Sequence, residues 1–127
     1  MRYLLLPFLL LGCATAGSPG GTDEQAELAK EIGNRLAGAP TSCVPVSSSE
    51  SLVVIDSRTL VLRSGSTLWV NRLRGSCPGL RPLGTVIVEV QGNLYCRGDR
   101  IRGLEPGSTI PGPICPLSDF VPYRRPT

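Results

Sequence analysis

The run LVVIDSRTLVLRSGSTLWVNRL, residues 52–73, decides the fold of this chain. Valine, isoleucine, leucine and threonine fill three short segments, and Asp-Ser-Arg and Ser-Gly-Ser separate them with residues that favour turns. Successive side chains of a strand point to opposite faces, so each short segment can bury one face. The pattern predicts a β-meander with strands over residues 51–56, 59–63 and 67–73.

Further strand-like segments follow this run. Their valine and isoleucine residues alternate with polar residues, and Gln-Gly-Asn and Arg-Gly-Asp supply the turns. Five or six short strands at this spacing predict a mainly β domain over residues 43–122, built as a small barrel or barrel-like meander; a two-sheet sandwich is the alternative. A proline-rich loop pinned by Cys115 should follow, and residues 123–127 should form a frayed tail. The additional predicted strands are 85–90, 94–96 and 99–104.

An amphipathic helix is predicted over residues 22–38, in front of the β domain. TDEQ at its start has the spacing of a capping box, and Gly-Ala-Pro at its end supplies a stop. Residues 13–21, rich in glycine around a proline, are expected to form a flexible tether. The helix either packs on the β domain or meets a partner, and we expect packing through the stripe Leu28, Ile32 and Leu36.

Residues 1–12 resemble a bacterial lipoprotein signal. Arg2 precedes a short leucine-rich stretch, and a glycine stands immediately before Cys13. The resemblance implies fatty acylation of Cys13 with chains such as palmitate, and a bilayer anchor through them. Ala14 stands where an aspartate would signal inner-membrane retention, so we expect the periplasmic face of the outer membrane. An ordinary signal cleaved near Ala16 is the alternative.

Four cysteines remain after Cys13, and an even number in an oxidising compartment predicts two disulfides. A zinc site is the alternative, but the chain has no Cys-x-x-Cys pair and no histidine. Four cysteines allow three pairings. We expect Cys77 with Cys96, and Cys43 with Cys115, because the second bond would tie the first strand of the domain to its last loop.

The absence of histidine restricts the chemistry open to this chain. Ser-His-Asp and Cys-His arrangements and histidine metal sites are excluded. Asp56, Asp99 and Asp119 could in principle act as acid and base, yet the first two fit turn residues that bond their own backbone. We therefore expect no catalytic residue, no metal and no cofactor.

The charge balance favours an anionic partner. From Cys43 onward ten arginines face six acidic residues, which suits lipopolysaccharide phosphates or peptidoglycan carboxylates. The excess is modest and aromatic residues are few, which argues against nucleic acid. Trp69 and Arg72 are the candidate contact surface, although Trp69 could instead pack beneath the helix.

Several short motifs together resemble a family of small exported proteobacterial proteins that is catalogued as a domain of unknown function. The resemblance covers residues 43–122 and implies the domain boundary and the four-cysteine framework, without an activity to transfer. The motifs are Cys43, Asp56-x-x-Thr59-Leu60, Trp69-x-Asn71-x-Leu73, Cys77-Pro78-Gly79-Leu80, Cys96-x-x-Asp99-x-Ile101 and Cys115-x-Leu117-x-x-Phe120-x-Pro122.

These features predict a non-enzymatic binding or structural module of the bacterial envelope. Its expected partners are the membrane, through the lipid at Cys13, and another envelope protein or an anionic envelope polymer. The alternative is an inhibitor of a peptidoglycan-cleaving enzyme such as lysozyme, with the Ser64-Gly65-Ser66 turn as its inserting loop. An enzyme that uses carboxylates ranks third.

Overall fold

The computed structural model describes residues 12, 19–89 and 92–127, and within the helix it describes side chains from residue 25 onward. In this part of the chain there are one helix and ten short strands, arranged in three antiparallel sheets. The predicted mainly β fold is confirmed. The elements are α1 (Pro19–Ile32), β1 (Leu36–Ala37), β2 (Cys43–Pro45), β3 (Leu52–Asp56), β4 (Thr59–Ser64), β5 (Thr67–Arg72), β6 (Thr85–Glu89), β7 (Leu94–Cys96), β8 (Arg100–Leu104), β9 (Cys115–Pro116) and β10 (Phe120–Arg124).

The three sheets are open, so the predicted barrel of five to six strands is wrong. The largest sheet has the order β1-β10-β5-β4-β3, a second joins β2 to β7, and a third has the order β6-β8-β9. Residues 73–84 separate β5 from β6 and contain two prolines and three glycines. Such residues interrupt a ladder of strand hydrogen bonds, so β6 begins a separate sheet.

The β4–β5 hairpin is buried on both faces and lies at the centre of the fold. Leu60 and Leu62 face the main core, in which all three sheets meet, whereas Val61, Leu68 and Val70 face the helix. A shift of register by one residue would exchange the two faces. The main core consists of Val44, Leu52, Val54, Leu60, Leu62, Leu73, Cys77, Leu80, Ile101, Leu117 and Phe120.

Helix α1 packs on the large sheet as expected, but its predicted bounds of 22–38 are wrong. It begins at Pro19 and ends at Ile32. The helix ends there because Gly33 takes a left-handed conformation (φ 60°) and donates its N–H to the Ala29 carbonyl at 2.9 Å. Leu28 is buried against the sheet. Leu36 is not part of the stripe; it pairs with Arg124 in the β1–β10 ladder and is 65% exposed.

The C-terminal end of the chain is also more ordered than predicted. The expected tail of 123–127 begins inside β10, where Tyr123 pairs with Leu68 of β5 on one side and with Ala37 of β1 on the other. Residues 1–11 of the predicted signal segment, the lipidation residue Cys13, the tether up to residue 18 and Val90 lie outside the described residues.

The four cysteines form two disulfides, as predicted, but the predicted pairing of Cys77 with Cys96 and Cys43 with Cys115 is wrong. Cys43 bonds to Cys96 with a Cα–Cα distance of 4.0 Å, and Cys77 bonds to Cys115 at 6.0 Å. Cys43 and Cys96 lie directly opposite each other in the β2–β7 register, and this long-range pairing has no signature in the local sequence. The second bond, Cys77–Cys115, fixes the end of the loop that leads into β9.

We predict that peptide mapping without reduction yields the pairs Cys43–Cys96 and Cys77–Cys115. Replacing either pair with serines should lower the free energy of unfolding by about 4 kcal/mol, because loops of this length release considerable chain entropy when opened. Urea unfolding of the two double variants measures this loss. Recovery of a Cys77–Cys96 peptide would contradict the fold.

Candidate functional site

Three arginines line a shallow groove at one end of the large sheet. Arg72, Arg74 and Arg97, together with Asp119 and Tyr123, border a space of about 240 Å³. A second space of about 280 Å³ shares Arg74 and Arg97 with the first. We call this region the arginine groove, defined by Arg72, Arg74 and Arg97.

Local structure explains the position of each arginine. Arg72 is the last residue of β5, and strand alternation places it on the helix side of the sheet, two positions after the buried Val70. Arg74 follows the strand, and its carbonyl accepts a hydrogen bond from Arg58 at 3.2 Å. Arg97 lies in the turn after β7, and its backbone N–H bonds to the Ser42 carbonyl at 2.6 Å.

A buried asparagine holds the other wall of the groove. The Asn71 side chain is fully buried; its Nδ2 donates to the Ser118 carbonyl at 2.7 Å, and its Oδ1 accepts from the Ser118 N–H at 2.9 Å. The Asn71 side chain thus bonds to both backbone groups of Ser118, as the backbone of a neighbouring strand would, although the two residues lie 47 positions apart in sequence. Asn71 therefore positions Ser118 and Asp119 beside the arginines.

The groove has an excess of positive charge. The Nη1 atom of Arg97 lies 3.6 Å from Oδ2 of Asp119, and both side chains are about half exposed, with relative exposures of 50% and 41%. Among the described residues, neither Arg72 nor Arg74 takes part in a salt bridge. The groove thus offers two guanidinium groups without a carboxylate partner and a third that shares one exposed carboxylate.

The structure separates the two residues of the sequence-predicted contact surface. Trp69 and Arg72 lie on opposite faces of β5 because they are three positions apart. Trp69 packs partly buried against the main core, on the face away from the helix, and the Arg124 guanidinium lies 5.5 Å from its ring centroid. Arg72 therefore belongs to the groove and Trp69 does not.

Each of the three aspartates has its own partner in the local structure. Asp56 accepts the N–H of Arg58 at 2.7 Å, and Asp99 accepts the N–H of Cys96 at 2.8 Å, so both are turn residues, as predicted. Asp119 faces Arg97. In the part of the chain that the structure describes, no three His, Cys, Asp or Glu residues gather in a way that could hold a metal ion.

The turn between β4 and β5 is a tight two-residue connection. Gly65 and Ser66 are exposed, and Ser64 and Thr67 still pair with each other. Arg35 donates to the Ser66 carbonyl at 3.4 Å, and Arg63 forms an ion pair with Glu31. Both neighbouring arginines therefore already have partners within the chain.

Comparisons with protein-family models, with curated proteins and with solved structures gave no match. The resemblance to a family of exported proteins thus stays a prediction. None of the helices in the described ranges is both long enough and apolar enough to cross a bilayer.

The groove could not be found from the sequence because its arginines come together only through Asn71 and β10. A weak signal exists in Asn71 itself, since asparagine is disfavoured in strands. An asparagine at such a position indicates a specific hydrogen-bonding role rather than a packing role.

We predict that Asn71→Ala lowers the free energy of unfolding by about 2–3 kcal/mol, because it leaves the Ser118 N–H and carbonyl without partners. Ser118→Ala is the matched control, since only the backbone of Ser118 takes part in these bonds, and its stability should stay within about 0.5 kcal/mol of the parent. Urea unfolding measures both variants. Equal losses in the two would show that the pair does not hold this loop.

Proposed function

We propose that this chain is a binding module of the bacterial envelope, without catalytic activity, and that the arginine groove is its contact surface. The observation that carries the proposal is the gathering of Arg72, Arg74 and Arg97 around one groove with a single acidic residue, Asp119. Arginines spread evenly for solubility would not meet in this way.

The groove fits anionic groups such as phosphates and carboxylates. A guanidinium group presents several N–H donors in a planar fork and can bind either group through two hydrogen bonds. Tyr123 and Val121 add an apolar wall on which the rest of a sugar or lipid headgroup could rest. Lipopolysaccharide and peptidoglycan carry such groups in the envelope.

The proposed address is the periplasmic face of the outer membrane, with acyl chains on Cys13 as the anchor. The sequence at residues 1–13 supports this proposal. Two disulfides in so small a domain also support it, because such bonds persist in oxidising compartments and are rare in the cytosol.

The alternative, an inhibitor of a peptidoglycan-cleaving enzyme, has less support. An inserting loop should protrude and present free groups to the enzyme. The loop at Gly65-Ser66 has two residues, and the neighbouring Arg35 and Arg63 bond within the chain. A carboxylate enzyme lacks a supporting observation, since the described aspartates lie in separate turns or beside Arg97.

The test is a charge-matched comparison of two triple variants. Replacing Arg72, Arg74 and Arg97 with glutamine should weaken binding to lipopolysaccharide or to purified peptidoglycan sacculi by about tenfold, because three exposed ionic contacts are lost. Binding of the parent protein should also weaken as salt is raised from 0.05 to about 0.5 M, since salt screens exposed charges.

The control replaces three basic residues at the other end of the sheet with glutamine: Lys30, Arg35 and Arg63. Both triple variants lose three positive charges, so net charge alone would weaken them equally. Equal binding by the two variants would reject the groove as the contact surface. Absence of lysozyme inhibition by the parent protein would remove the alternative.

A further inference from the structure

Leu83 combines two unfavourable features in one residue. Its backbone has φ 67°, and it is the only non-glycine residue with a positive φ in the described part of the chain. Its side chain is 95% exposed, the highest value among the exposed large hydrophobic residues. A left-handed conformation disfavours a side chain with a Cβ, and exposure forgoes the benefit of burying an apolar one.

A neighbouring turn shows that the fold has a better residue for this position. Leu83 is the third residue of Arg81-Pro82-Leu83-Gly84, closed by a bond from the Gly84 N–H to the Arg81 carbonyl at 3.0 Å. The turn Glu105-Pro106-Gly107-Ser108 has the same form, with glycine at the third position and φ 77°. Arg81 and Glu105 join the two turns through a salt bridge of 2.9 Å.

Glycine would therefore suit this position of the fold better than leucine. Strained residues of this kind persist where function requires them. A second apolar residue, Ile110, is 79% exposed on the loop that leaves the neighbouring turn. Its N–H bonds to the Ser108 side chain at 3.2 Å, which fixes its position relative to that turn.

The direction of helix α1 relates Leu83 to the expected anchor. The C-terminal end of the helix lies at the β4–β5 turn, where Arg35 bonds to Ser66. Earlier in the helix, Glu27 borders a space of about 360 Å³ at the opposite end of the sheet, together with Arg81 and Pro82. The N-terminal part of the helix thus runs toward the end of the sheet that carries the Leu83 turn.

Cys13 lies six positions before the start of the helix at Pro19. Six peptide units reach at most about 20 Å, so an acylated Cys13 would keep the bilayer close to that end of the domain. A projecting leucine at this end has lipid within reach.

We propose that the turn carrying Leu83 is a bilayer contact, with Leu83 inserted at the boundary between headgroups and acyl chains and the exposed Ile110 of the neighbouring loop as a second apolar contact. The proposal rests on the proposed lipid anchor at Cys13. The acyl chains on Cys13 already hold the protein at the bilayer. The contact therefore sets the orientation of the domain on the membrane, instead of leaving it to rotate freely about its tether.

The experiment uses the full processed protein in vesicles of phosphatidylethanolamine and phosphatidylglycerol with bromine atoms on the acyl chains. Trp69 is first replaced by phenylalanine, and a tryptophan is then introduced by Leu83→Trp or, as the control, by Ser66→Trp at the opposite end of the sheet. Bromine quenches tryptophan fluorescence at short range. We expect Leu83→Trp to lose about half of its fluorescence and Ser66→Trp to lose almost none.

Intact-mass measurement of the same samples separates the two proposals. Acyl chains on Cys13 without quenching at position 83 would overturn the bilayer contact and leave the anchor standing. A mass without acyl chains would overturn both. Equal quenching at positions 83 and 66 would also overturn the contact, since it would show a domain without a preferred orientation.

Leu83→Asn provides a second test that does not depend on tryptophan. Asparagine tolerates a left-handed conformation and has no apolar surface. The variant should therefore unfold at the same or a higher temperature than the parent protein, while it loses protection of the turn from protease on vesicles. A lower unfolding temperature would assign Leu83 a structural role, and loss of a dimer in ultracentrifugation would assign it to self-association; either result would overturn the proposal.

Discussion

The two hydrogen bonds between the Asn71 side chain and the Ser118 backbone are the interaction on which the rest of this structure depends. Strand β5 is buried on both faces, against the main core on one side and helix α1 on the other. A polar side chain in such a strand is costly unless each of its groups is paired. Here the pairing brings residues 117–119 against the strand, where β10 can continue beside it. The same contact forms one wall of the arginine groove, so fold and candidate site share it.

The sequence predicted those elements that are formed by neighbouring segments. Strands β3 to β8 follow the predicted segments to within a residue or two, because alternation and turn residues are local signals. Of the remaining strands, β1, β2 and β9 have only two or three residues, and β2, β9 and β10 each contain a proline, which argues against a strand. Pro122 lacks an N–H, but it still takes part in the sheet because its carbonyl accepts the N–H of Gly38 at 2.7 Å. The prediction of the disulfide pairing failed because Cys43 meets Cys96 through a long-range strand pair, which local sequence signals do not reveal.

The candidate site was predictable only in part. An excess of arginine and the choice of Arg72 came from the sequence, whereas the roles of Arg74 and Arg97 depend on loops that meet only in the folded chain. Strand alternation correctly separates Trp69 from Leu68 and Val70. It does not reveal which of the two faces the helix covers, and the helix covers the face without Trp69. A residue pattern defines faces, and only tertiary contacts assign them to partners.

The two ends of the large sheet differ in how their positive charges are used. At the end with the β4–β5 turn, Arg63 pairs with Glu31, and Arg35 bonds to carbonyls in the last turn of α1, where the helix dipole favours a cation. At the other end, Arg72 and Arg74 take part in no salt bridge of the described chain. Exposed ion pairs add little to stability, so stability does not explain this difference. The arrangement instead leaves donors available on the side toward which the N-terminal part of α1 runs. With the proposed anchor at Cys13, this charged surface would act on groups at the membrane.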